Sequence, residues 1–183
     1  MRTLVGAVGY RNLRDHSAPF AIIDRLSTDD CDPDVVIEDT SYNPIAIVQW
    51  LEGEPPENRF DQIVLVAAVE RCREPGAITG YRWDGGLPGD EQVQEAVVEA
   101  VTGVIALENT VVIAGYFRVL PATVVIIEIE PVDHAFGSEF SAAVAAAIEP
   151  ACSLIRHLVR DPAALNMLPV QALPPRHAAR LHA

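Results

Sequence analysis

An acid and an imidazole stand side by side at Asp15 and His16, closing a polar, turn-rich loop that follows the apolar run Leu4 to Val8 and Gly9. If that run is a strand of an open α/β sheet, the pair lies beyond its carboxyl end, where such sheets bind ligands. Both side chains can contact a metal ion or a substrate. Plainer readings stand beside these. Asp15 also suits an N-cap or first-turn carboxylate of the next helix, and His16 a loop imidazole bonded to backbone. Asp39, at the end of the second strand, suits an Asx turn.

The remaining reactive residues form no familiar constellation. His134 follows Asp133, but adjacent side chains diverge, so it reads as solvated. His157, His177 and His182 have no partner at a telling spacing. Cys31, Cys72 and Cys152 are far apart with no CxxC pair, which argues against a disulfide framework and a zinc knuckle. Gly6-Ala7-Val8-Gly9 lacks the third glycine of a dinucleotide loop, and neither a GxSxG elbow nor a phosphate-binding Walker sequence occurs.

Elements that would position these residues alternate along the chain. Strands are expected at Thr3 to Val8, Asp34 to Asp39, Gln62 to Val69 and Val124 to Ile129, with Ala77 to Trp83 a short strand able to reverse direction at the sheet edge. Helices are expected at Ser17 to Ser27, Pro44 to Glu52, Glu91 to Ala100, Leu107 to Arg118 and Ser141 to Leu158, with Pro150 starting a new turn or kinking the last. The class is α/β: a doubly wound, mostly parallel sheet of about five strands with helices on both faces. Residues 1–160 read as one domain and 161–183 as a Pro/Ala-rich tail, mobile or docked by a few apolar contacts.

The 183 residues, half of them hydrophobic, suffice for one full core. Thirteen Lys and Arg against 26 Asp and Glu leave a net charge of −13, which repels phosphate backbones and anionic lipid, so nucleic acid is not an expected partner. Apolar stretches of roughly ten residues are too short to span a bilayer. The start of the chain has no signal-peptide pattern, so a cytoplasmic protein without membrane partners is expected, as a monomer or small homo-oligomer.

Three blocks resemble the nickel-iron hydrogenase maturation proteases. The first, Gly9-Tyr10-Arg11-Asn12-Leu13-Arg14-Asp15-His16, is similar to that family's strand followed by Gly-Asn-x-Leu-x-x-Asp-Asp/Glu-Gly. The second runs from Val36-Ile37-Glu38-Asp39 through Phe60 to Val69 and ends in Glu74-Pro75-Gly76-Ala77-Ile78, where the family has Val-Ile-Leu-Val-Asp-Ala-Val and then Pro-Gly-Thr. The third is Leu120-Pro121, the strand through Glu130-Pro131, and Gly137, Phe140, Ser141 and Val144, which resembles the family's Leu-Pro, strand, Gly-Ile-x-Pro and Leu-Ser-x-x-Val.

The resemblance implies the doubly wound fold and removal of a C-terminal peptide from the hydrogenase large-subunit precursor after nickel insertion. It also implies nickel, carried by that substrate, as the metal sensed. The family's three sensing positions are an acid in the first loop, an Asp after strand three and a His ahead of a later helix. They fall here on His16, on Ala67 and near Thr102-Gly103. Imidazole suits nickel as well as a carboxylate does, but Ala67 and Gly103 offer no donor. His16 and Asp15 are accordingly the expected metal contacts, with Asp39 and Glu108 as substitute ligands or substrate contacts and Glu38 and Glu70 behind them as substitute ligands. No catalytic residue is assigned, and a non-catalytic maturation chaperone or adaptor on the same fold is the alternative to a peptidase.

Overall fold

The computed structural model describes residues 1–28 and 32–174, so Cys31, His177 and His182 lie outside the described residues. The chain begins with β1 (Thr3–Val8), which is flanked by parallel strands on both sides and therefore buried along its whole length. A 3-10 turn, Arg14–Ser17, leads into α1 (Ala18–Leu26), and β2 (Val35–Asp39) returns to pair with β1. Next come α2 (Pro44–Gly53), β3 (Gln62–Ala68), β4 (Ile78–Trp83), α3 (Asp90–Val101), α4 (Leu107–Tyr116), β5 (Thr123–Ile129), α5 (Ala142–Arg160), α6 (Pro162–Met167) and β6 (Val170–Gln171).

The sheet order is β2-β1-β3-β5-β4-β6. Strands β2, β1, β3 and β5 are parallel and β4 runs antiparallel to β5. The chain steps from β1 to β2 on one side and then to β3 on the other. The loops leaving β1 and β3 therefore diverge and open a crevice at their carboxyl ends. Ala67, at the end of β3, is in register with Val8 of β1, and Ala68 with Ile129 of β5, so three strands end level at its floor.

Both sheet faces are apolar, as parallel strands covered on two sides require. Val5, Ala7, Val64, Val66, Val125 and Ile127 meet α1, α5 and α6. The alternate residues Leu4, Ile63, Leu65, Val124 and Ile126 meet α2 and α4. Helix α3 is an outer layer, packing Val93, Ala96 and Ala100 against Val112, Ile113 and Ala114 of α4. Caps fix several helix starts: the Asn43 side chain accepts from Ile45 N–H at 2.9 Å with Pro44 following, and Ser141 Oγ accepts from Val144 N–H at 3.3 Å.

Two expectations change. The sheet has six strands, because the stretch taken as a tail forms α6 and then lays β6 parallel to β4, with Arg82 N–H donating to Pro169 O and Asp84 N–H to Gln171 O. Strand β4 is antiparallel as expected but no longer the edge. Nor does Pro150 divide its helix: α5 runs through it as one element, with Pro150 exposed on the outer side, where water can take the carbonyl left without an amide partner. Helix α5 is also long and apolar enough by composition to cross a membrane. In this fold Val144, Ala147, Ile148, Ala151, Cys152, Ile155 and Leu158 form its buried, sheet-facing stripe.

Ile127 of β5 is wholly buried in the core between the sheet and helices α1 and α5, so truncating it leaves a cavity. Ile127→Ala should lower unfolding stability by about 3 kcal/mol, read as a shifted urea midpoint with unchanged slope.

Candidate functional site

The crevice wall is built by two loops stitched together. Asn12 and Arg14 in the first loop take left-handed backbone conformations (φ 63° and 37°), which turn the chain back under the later loop. Gly137 N–H donates to Asn12 O at 2.8 Å, Arg14 N–H to Gly137 O at 3.0 Å and Asp15 N–H to Asp133 O at 3.1 Å. The Arg14 guanidinium pairs with the Asp133 carboxylate.

Asp15 closes this seam. Its side chain is fully buried, and its oxygens accept from Ser141 N–H at 2.7 Å, Val132 N–H at 2.9 Å and Asp133 N–H at 3.0 Å. Burial alone would raise this carboxyl, but the three backbone donors outweigh it and hold it below its ordinary value. These bonds leave Asp15 a fastening between loops, neither the N-cap of α1 nor an open ligand.

His16, the next residue, has different company. Its Nε2 lies 3.8 Å from Glu70 Oε1, and His134 Nδ1 lies 3.6 Å from the same oxygen. The imidazole rings meet edge to face, with centroids 6.2 Å apart. One donor atom from each of the three residues falls within 4.8 Å of the other two. Burial lowers the His16 imidazole below its ordinary value; Glu70 opposes this and His134 adds to it. The three side chains leave the loops after β1, β3 and β5, the three strands that end level at the crevice. Two imidazoles and a carboxylate form a donor set suited to a first-row divalent metal ion.

The other expected contacts lie apart from this group. Asp39 accepts from Ser41 N–H at 3.0 Å, the Asx turn its position allows, and pairs with Arg11 at 2.9 Å. Glu108 accepts from Arg71 Nη2 at 2.6 Å. Ala67 is buried and Gly103 sits in a left-handed turn, so neither supplies a donor.

Arg71 belongs to a buried charge network that nothing in the loop sequence singled out. Its guanidinium also reaches Glu128 at 2.9 Å, Arg73 binds the second Glu128 oxygen at 2.7 Å, and Tyr81 O–H donates to Glu128 at 3.0 Å. Glu128 is fully buried and Arg71 nearly so. Burial would raise Glu128, yet the two arginines hold it below its ordinary value, and burial beside that carboxylate raises the Tyr81 phenol. The visible signal was one acid in the otherwise apolar strand Val124 to Ile129. The meeting of Glu70 and His134 depends on which strands are neighbours, and spacing along the chain does not reveal that.

No protein-family model and no curated protein matches the chain. Solved structures do. The hydrogenase 2 maturation peptidase of Thaumarchaeota archaeon SCGC_AB-539-E09 superposes with a TM-score of 0.62 at 25% identity, covering 87% of this chain and 98% of the other. The fold is that of the hydrogenase maturation peptidases, as the sequence resemblance implied. The maturating endopeptidase HybD of E. coli superposes with a TM-score of 0.65 at 19% identity, and the maturation protease HycI of Thermococcus kodakarensis KOD1 with 0.63 at 19%. Both comparisons cover 87% of this chain and 93% of the other.

Asp15→Ala removes a buried carboxylate that satisfies three part-buried N–H groups and should cost on the order of 3 kcal/mol, measured by urea unfolding. Glu128 has a depressed folded value, so its contribution is fully present above its ordinary 4.5 and lost as pH falls through the lower value. Stability followed from pH 7 downward should therefore drop below about pH 4.5. In Glu128→Gln that acid drop should shrink, while stability at pH 7 falls by about 3 kcal/mol because Arg71 loses its buried partner.

Proposed function

We propose that this chain is a hydrogenase maturation protease-like protein that acts in the cytoplasm on the C-terminal segment of a nickel-iron hydrogenase large-subunit precursor after nickel insertion. The observation carrying this reading is the crevice at the β1/β3 switch point, on a maturation-peptidase fold, with His16, Glu70 and His134, a donor set that could hold a metal ion, grouped at its mouth. Val132 and Phe136, exposed on the loop that bears His134, give the mouth an apolar lip suited to an extended peptide. Cleavage would add water across one peptide bond and release the terminal segment.

The second reading is a non-catalytic maturation chaperone or adaptor, favoured by the missing donors at Ala67 and Gly103. On that reading the recognition surface survives without hydrolysis.

The test is incubation with nickel-loaded and nickel-free precursor, followed by intact-mass spectrometry and a binding assay. The peptidase reading expects loss of the C-terminal peptide only from the nickel-loaded form. Binding with unchanged mass selects the adaptor, and absence of binding to either form rejects both.

A further inference from the structure

We propose that His16, Glu70 and His134 form a divalent transition-metal site belonging to this chain itself, able to load without any partner protein. The inference adds a ligand set to the crevice invoked above and does not need the hydrogenase reading to be right.

The geometry comes first. Metal–nitrogen bonds near 2.1 Å place neighbouring ligand atoms about 3.0 to 3.4 Å apart in octahedral or tetrahedral sites. The distances of 3.8 and 3.6 Å to Glu70 Oε1 exceed that by only a few tenths of an ångström. Side-chain exposures of 53% for Glu70 and 74% for His134 leave both free to close the gap.

Positioning is the second point. His16 is only 23% exposed and follows Asp15, while His134 follows Asp133, whose N–H Asp15 accepts. One buried carboxylate thus fixes the backbone beneath both imidazoles, so the site is largely arranged before an ion arrives.

Chemistry selects the class of ion. Two imidazoles and a carboxylate favour nickel, zinc or ferrous iron over magnesium or calcium, which prefer all-oxygen shells. Exposure rises from His16 to His134, so the remaining coordination positions face solvent. They can hold water or a donor atom from a bound polypeptide.

Titration of the purified full-length protein with NiCl2, ZnCl2 and MgCl2 by calorimetry tests this with no hydrogenase component present, so its failure is separable from failure of the function above. The expected result is one nickel or zinc ion per chain and no response to magnesium. His134→Ala and Glu70→Gln should each weaken nickel binding roughly tenfold or more, with circular dichroism unchanged. His157→Ala, on the exposed side of α5, and the double variant His177→Ala/His182→Ala should bind as the parent does. The visible spectrum of the cobalt-loaded protein supplies a second readout and should change in both ligand variants. Absence of nickel and zinc binding overturns the proposal. So does binding that survives His134→Ala and Glu70→Gln unchanged, or that is lost with His177 and His182.

Discussion

Three backbone N–H groups of one loop converge on the buried carboxylate of Asp15, and the placing of everything at the crevice mouth follows from that convergence. A charged acceptor satisfied by three donors is both strong and directional. It fixes the start of α5 through Ser141 and the turn after β5 through Val132 and Asp133. Without it, the two loops would be joined by a few backbone bonds and the part-buried Arg14–Asp133 pair. Asp15, expected beside His16 as a metal contact, is thus the residue that holds the candidate ligands in place.

On the other side of the crevice, the arginine–glutamate network does for the turn after β3 what Asp15 does for the loop after β5. Arg71 leaves the end of β3 and is held by Glu128 of β5 and Glu108 of α4. Its backbone N–H donates to Glu130 as well. Glu70, next to it, therefore projects from an anchored backbone although its own side chain is exposed. Gly76 completes the turn into β4: its φ of 75° suits glycine, and a Cβ there would lie 2.6 Å from Ala143 O at the start of α5.

The fold class was legible because apolar runs, turn residues and helical spacing all pointed to the same alternation of elements. The parallel strands and five main helices fall within a few residues of where the pattern placed them. Short-range pattern has no means of announcing β6, two residues long, whose pairing is decided by where α6 delivers the chain. Pro150 does not end its helix because the cost of a lost amide depends on whether the orphaned carbonyl faces water, and here the residue is exposed. At the site, Asp15 and His16 stood out by type and place. Their division of labour did not, since whether a carboxylate is buried under another loop depends on contacts more than a hundred residues away.

Strand β6 is two residues long and pairs only with Arg82 and Trp83 of β4, so the longer of the sheet's two margins among the described residues is β2. An unpaired strand margin is a template on which another copy of a chain can add itself. Here that margin finishes in Glu38 and Asp39 on a molecule carrying thirteen excess negative charges. Two such margins brought together would add like charge to like charge, and that repulsion opposes growth of the sheet into a neighbouring copy.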